Sequence, residues 1–268
     1  NKSILLRSFF INISKRVITM IEELFEIAKK DIRVECDFVI NDRIHIFRAI
    51  GDVNNKDIIL YVHGLGSNKN WVTRFYNKLL DNNYNVYSLD LIGHGQDNTS
   101  FENFNLSNCI QYVKETIEYI KTVHENCNIY LLGCSYGGFV LLNAYNDIIN
   151  NINKIYLMCP AINFCEIMEK KVGNLDIDYF NNSDFISLYK NIKVFRGAYE
   201  EFKNGDKFIK NTKFNNVFII QGDADTTVLV NDIKDFSNKN NLLCKIIKGG
   251  KHELYGFDND VVEFILNN

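Results

Sequence analysis

The chain has 268 residues, of which 46% are hydrophobic and 24% charged, the proportions of an ordinary globular protein, which exclude a disordered, fibrous or integral-membrane chain. A formal net charge of -3 with no clustered basic run leaves no electrostatic footprint for nucleic acid. Seven cysteines, an odd number without a CxxC pair, fit reduced thiols and a cytoplasmic location better than a disulfide framework.

Residues 1–30 come first. Ile4, Leu5, Phe9, Ile13, Val17, Ile21, Leu24 and Ala28 recur at helical spacing, which predicts an amphipathic helical segment. Arg7, Asn12, Lys15 and Arg16 interrupt it, so it lacks the run of about 18 apolar residues that a membrane span needs. No small-residue cleavage site of a signal peptide follows it. The expected role is packing on the body or on a second copy in a homo-oligomer, with peripheral membrane contact as the alternative.

The remaining body, residues 31–268, opens with a Val, Ile and Phe-rich stretch from Val34 to Ile50 around Asn41 and Asp42, a β-hairpin signal. Short apolar runs then alternate with helical patterns: Ile58 to Val62, a helix near Trp71 to Asn82, Val86 to Leu89, and a helix from about Leu106 to His124. Ile129 to Leu132, a helix after Tyr136, and Ile155 to Met158 continue the series. Val217 to Ile220, a helix near Val230 to Phe236, Cys244 to Ile247 and a helix from about Phe257 to Leu266 complete it. Such alternation predicts a doubly wound α/β fold with a mostly parallel sheet, because parallel neighbours need crossover connections. Only the interval from about 160 to 213 breaks the rhythm; it is too long for a connection and is expected to be an inserted helical cap. Its aromatics, Tyr179, Phe180, Phe185, Tyr189, Phe195, Tyr199, Phe202 and Phe208, are expected mainly to pack the cap on the body, with an acyl pocket as a further use.

The chemistry centres on Gly133-Cys134-Ser135-Tyr136-Gly137-Gly138, a Gly-x-Ser-x-Gly run between an apolar strand and a helix. Flanking glycines remove Cβ atoms where strand and helix crowd, so the serine hydroxyl projects from a tight turn. Cys134 is a stronger nucleophile intrinsically, but the symmetric glycines put Ser135 at the apex and turn Cys134 into the sheet. A serine needs a base to take its proton and a third group to orient that base. Histidines stand at 45, 63, 94, 124 and 252, and only His252 follows Ser135. The loop after Val217 to Gln221 offers Asp223 and Asp225, and Glu253 adjoins the histidine. Backbone NH groups of Tyr136, at a helix start, and of Leu65, in His63-Gly64-Leu65-Gly66, are the expected oxyanion donors. No His, Cys or carboxylate lies at ligand spacing around His63, so no metal is expected there; His63 and His94 are expected to brace their loops.

Together these motifs, with Asp90-Leu91-Ile92-Gly93-His94-Gly95 and Lys251-His252-Glu253, resemble the α/β-hydrolase superfamily from about Val34 to the end. Within it the chain is most similar to bacterial feruloyl and cinnamoyl esterases and to monoacylglycerol-lipase-like hydrolases. It departs from the usual pattern in having Cys134 where a His often precedes the serine. The resemblance implies the order Ser, Asp, His, hence Ser135 as nucleophile, Asp225 rather than Asp223 as the acid, His252 as base, and no cofactor. The expected function is cleavage of a small-molecule carboxylic ester through an acyl-enzyme. A thioesterase or acyltransferase would use the same residues, and a catalytically silent hydrolase-fold binding module is the alternative of another class.

Overall fold

The computed structural model describes residues 32–172, 180 and 183–268; the helical segment expected over 1–30 and Tyr179 lie outside them. Asn41 and Asp42 form the expected turn with φ of 52° and 58°, a region these two side chains tolerate better than most. That turn joins β1 (Arg33–Ile40) to β2 (Ile44–Ile50) in an antiparallel pair. The strands that follow are β3 (Asp57–Val62), β4 (Tyr84–Leu89), β5 (Asn128–Cys134), β6 (Lys154–Met158), β7 (Phe185–Ser187), β8 (Lys193–Phe195), β9 (Val217–Gly222) and β10 (Leu243–Ile247). Eight of them form one sheet in the order β1-β2-β4-β3-β5-β6-β9-β10, parallel from β4 to β10.

The parallel strands read as nearly continuous apolar runs because both faces are covered. In β3, Ile58, Leu60 and Val62 point into one core while Ile59 and Tyr61 point into the other. Helices α1 (Tyr76–Asp81), α2 (Leu106–Val123), α3 (Tyr136–Ile148), α4 (Phe164–Val172), α5 (Arg196–Asn211), α6 (Val230–Asn240) and α7 (Asp258–Leu266) supply the covering layers. Residues of α2, α3 and α6 fill the first core, and those of α1 and α7 the second. The start of α2 is set by Asn105, whose side chain accepts from the Asn108 NH at 2.8 Å. From β3 the chain steps outward to β4 and returns to β5 on the other side of β3, a reversal that opens a crevice at the strands' carboxyl ends.

Two elements differ from expectation. The stretch near Trp71 to Asn82 is not one helix: a 3-10 segment over Lys69–Arg74 precedes α1, and Phe75 between them leaves helical geometry at φ -140°. Phe75 is buried edge-on against Tyr61, 5.8 Å between ring centroids, a tertiary contact that overrides the helical periodicity. The segment between β6 and β9, where a helical cap is expected, holds α4 and α5 but also the antiparallel hairpin β7–β8. Phe185 pairs across it with Phe195, and Ile186 with Val194, cross-strand pairs of the kind that stabilise short hairpins. Phe202 of α5 is fully buried among Phe104, Tyr136, Phe139 and Phe164, so the cap's aromatics continue the main core. Among the described residues no helix is long and apolar enough to cross a membrane.

Candidate active site

Ser135 stands between the end of β5 and the start of α3 with φ 49° and ψ -113°, a conformation that costs a non-glycine residue energy and persists only when its surroundings impose it. They do: its NH donates to the Met158 carbonyl at 3.0 Å, and its carbonyl accepts from the NH groups of Phe139 and Ala161. A Cβ on Gly137 would lie 2.1 Å from the Val62 carbonyl oxygen, and one on Gly133 would lie 2.9 Å from the Gly138 nitrogen. Only glycine lets β5 and α3 meet there. Although Ser135 occupies the N-cap position, its hydroxyl makes no capping bond. It lies 2.9 Å from His252 Nε2 instead. Cys134 is buried on the other side of the turn, and burial pushes its thiol well above the usual range.

His252 lies beyond β10, and its Nδ1 is 2.8 Å from Asp225 Oδ2. Asp225 accepts further bonds from the NH groups of Thr227 and Val228, at 2.8 and 3.0 Å, and from the Gln221 amide at 3.1 Å. Burial works to raise the Asp225 pKa, but the His252 contact and the backbone donors outweigh it and hold the carboxyl below its ordinary value. An ionised Asp225 fixes the proton on His252 Nδ1, which leaves Nε2 free to accept from the serine hydroxyl. Asp223 points elsewhere: its Oδ1 accepts from the Gly249 NH at 2.7 Å and ties the β9 loop to the β10 loop. Glu253 does not join the Ser135–His252–Asp225 chain; it lines the adjoining cavity, and burial raises its carboxyl.

That cavity, about 440 Å³, is bounded by Leu65 and Ser135 from the body, Phe164, Ile167 and Met168 from the cap, and His252. The Tyr136 NH lies in the first turn of α3, where NH groups have no intrahelical acceptor and the helix dipole favours negative charge. Leu65 follows β3 on the facing side of the crevice. His63 holds its loop: Nε2 accepts from the Leu91 NH at 3.0 Å, so Nδ1 carries the proton it donates to the Gly64 carbonyl at 2.8 Å. Burial, its largest perturbation, lowers the His63 pKa to about 3, so the ring stays neutral. His94 packs against it, 5.3 Å between centroids, and donates to the Ile92 carbonyl.

Two supporting basic residues, Lys69 and Arg74, escape sequence reasoning. Lys69 and Asp90 form a buried pair at 2.8 Å, and Asp90 also accepts from the backbone NH groups of Lys69 and Gln96, which anchors the loop that carries Leu65. Arg74 donates to the carbonyls of Glu253 and Leu254, at 3.0 and 2.9 Å, while stacking on Trp71 and Tyr255. Glu253 and Leu254 both have positive φ, and Arg74 holds this strained turn beside His252. The Asp90 loop motif was visible in the sequence, but neither basic partner carries a local signal. Cys159, just beyond β6, is buried beside Asp225, and burial pushes its thiol up to about 12.

The family described as "Serine aminopeptidase, S33" matches residues 53–175. A curated relative, protein phosphatase methylesterase 1 of Candida albicans, is 29% identical over 107 residues, which is 39% of this chain and 29% of that protein; the match thus spans less than a third of the relative. Among solved structures, Est1E from Butyrivibrio proteoclasticus, with ferulic acid bound, superposes with a TM-score of 0.70 at 19% identity, covering 88% of this chain and 98% of Est1E. The thioesterase domain from the curacin biosynthetic pathway gives a TM-score of 0.59 at 10% identity, covering 87% of this chain and 99% of that domain. At such identities the structural likeness is one of fold.

Proposed function

We propose that this chain, which has an α/β-hydrolase fold, is a serine hydrolase of small carboxylic esters acting through an acyl-enzyme. The observation that carries this reading is the unbroken chain from Ser135 Oγ through His252 to Asp225, with its serine end opening on an apolar-walled cavity. Ser135 Oγ attacks the ester carbonyl while His252 Nε2 takes its proton. Asp225 keeps the imidazole in the required tautomer and stabilises the imidazolium. The oxyanion is received by the NH groups of Tyr136 and Leu65; one such donor is typically worth roughly 100-fold in rate. His252 then gives its proton to the departing alcohol. In the second half, water loses a proton to His252, attacks the acyl carbonyl and releases the acid and Ser135.

The complete arrangement argues against a silent binding module, since such a module has no need of a serine held at a strained φ. The seven free cysteines support a cytoplasmic, reducing setting. Turnover of an ester panel graded in acyl length and aromaticity, run beside matched thioesters, tests the reading. Ester hydrolysis that disappears in Ser135→Ala is the expected result. Hydrolysis of the thioesters alone would reassign the leaving group, and hydrolysis unaffected by the substitution would overturn the proposal.

A further inference from the structure

The carboxyl ends of three adjacent strands deliver more than the two residues used above. Cys159 follows β6, Asp225 follows β9 and His252 follows β10, and in the sheet these strands are neighbours in that order. The Cys159 sulfur, an Asp225 oxygen and a His252 ring nitrogen all lie within 4.8 Å of one another. Asp225 meets His252 Nδ1 at 2.8 Å. The Ser135 mechanism has no use for the thiol, yet it is the third corner of a compact sulfur, oxygen and nitrogen triangle.

We propose that this triangle is an inhibitory site for a thiophilic divalent cation of the Zn²⁺ type, which switches off the hydrolase centre by capturing Asp225 and His252. The donor chemistry selects the ion. Thiolate, imidazole and carboxylate together suit Zn²⁺, whereas Mg²⁺ and Ca²⁺ require oxygen donors. Ligand atoms around one tetrahedral zinc ion stand about 3.3 to 3.8 Å apart, so the 2.8 Å Asp225–His252 edge opens by roughly 0.5 Å while the edges to sulfur, within 4.8 Å, close by about 1 Å at most. His252 sits on a short 3-10 turn and keeps 23% of its side chain exposed, whereas Asp225 is fully covered; the ion's path is past the imidazole from the cavity.

Capture changes the proton inventory. Cys159 loses its thiol proton to solvent as the sulfur–metal bond forms. Nδ1 loses its proton as it takes the metal, and the neutral imidazole carries one on Nε2 instead. That nitrogen then donates rather than accepts, so it no longer removes the Ser135 proton. No electron is transferred, and a chelator reverses the change.

The regulatory consequence rests on the proposed role of Ser135, but the site itself can be tested apart from it. Co²⁺, a spectroscopic substitute for Zn²⁺, should give a thiolate-to-metal charge-transfer band at one equivalent in the wild-type chain, absent from Cys159→Ser and Cys159→Ala. Zn²⁺ should slow fluorophosphonate labelling of Ser135 at least tenfold in the wild type, leave both Cys159 variants within twofold of their metal-free rate, and be reversed by chelation. Labelling of the variants without metal shows that they are folded. A charge-transfer band that survives in both variants, or no band in the wild type, overturns the site whether or not the protein hydrolyses esters. A band without slowed labelling overturns the inhibition. If the wild type is not labelled even without metal, the Ser135 reading fails while the Co²⁺ result still decides the site.

Discussion

The sheet and the cap are built on different principles. In the sheet, each side chain of the proposed triad stands just beyond a strand's carboxyl end, held by backbone bonds that the topology dictates: Ser135 after β5, Asp225 after β9, His252 after β10. In the cap, short elements depend on side-chain packing, with Phe202 set into the main core and Asp206 of α5 accepting from the Cys165 NH of α4 at 3.0 Å. On the proposed mechanism the contrast separates chemistry from choice: the sheet residues act on the carbonyl, and the cap selects the molecule that brings it.

If that division holds, substitutions in the sheet should alter kcat and those in the cap should alter stability or selectivity. Ser135→Ala should give the largest effect, a loss of about 10⁶ in kcat with an unchanged melting curve. Asp225→Asn should follow at roughly 10⁴, because the wrong imidazole tautomer is then favoured, whereas Asp223→Asn should cost less than about tenfold, since Asp223 serves the loop junction. Steady-state kinetics of the two Asn variants side by side decide between these carboxylates.

In the cap, Phe202→Ala should destabilise folding by about 3–5 kcal/mol in denaturant titrations, the cost of emptying a buried aromatic site, while surviving folded protein keeps its kcat. Ile167→Ala, which enlarges the cavity wall, should shift preference toward longer acyl chains by roughly fourfold in kcat/KM per added methylene, following the free energy of burying one such group. Asp206 gives a signed effect on stability. Burial raises its pKa from the ordinary carboxyl range to about 7, so the folded state holds a proton that the unfolded chain has already released. Stability should therefore fall as pH rises from about 4 to 7, and Asp206→Asn should flatten that slope in thermal melts recorded across the range.

The same division explains what was legible in the sequence. Strands buried on both faces announce themselves as apolar runs, and the glycines around Ser135 mark a turn that nothing larger fits, so the sheet and the Ser135 turn are readable locally. Phe75 and the β7–β8 hairpin are not, because one is decided by a ring contact with Tyr61 on another element and the other by pairing over a few residues. Arg74 is invisible for a related reason: its carbonyl partners, Glu253 and Leu254, and its ion-pair partner Asp258 all lie about 180 residues downstream. Lys69 is harder still, since a buried lysine contradicts its usual exposure until Asp90 is placed beside it.

The most direct test of the central claim is peptide-resolved mass spectrometry after treatment with a fluorophosphonate. A single adduct on Ser135, abolished in Ser135→Ala and strongly slowed in His252→Ala, is the predicted result. No adduct on the folded wild-type chain, or an adduct on any other residue with Ser135 unmodified, would contradict it.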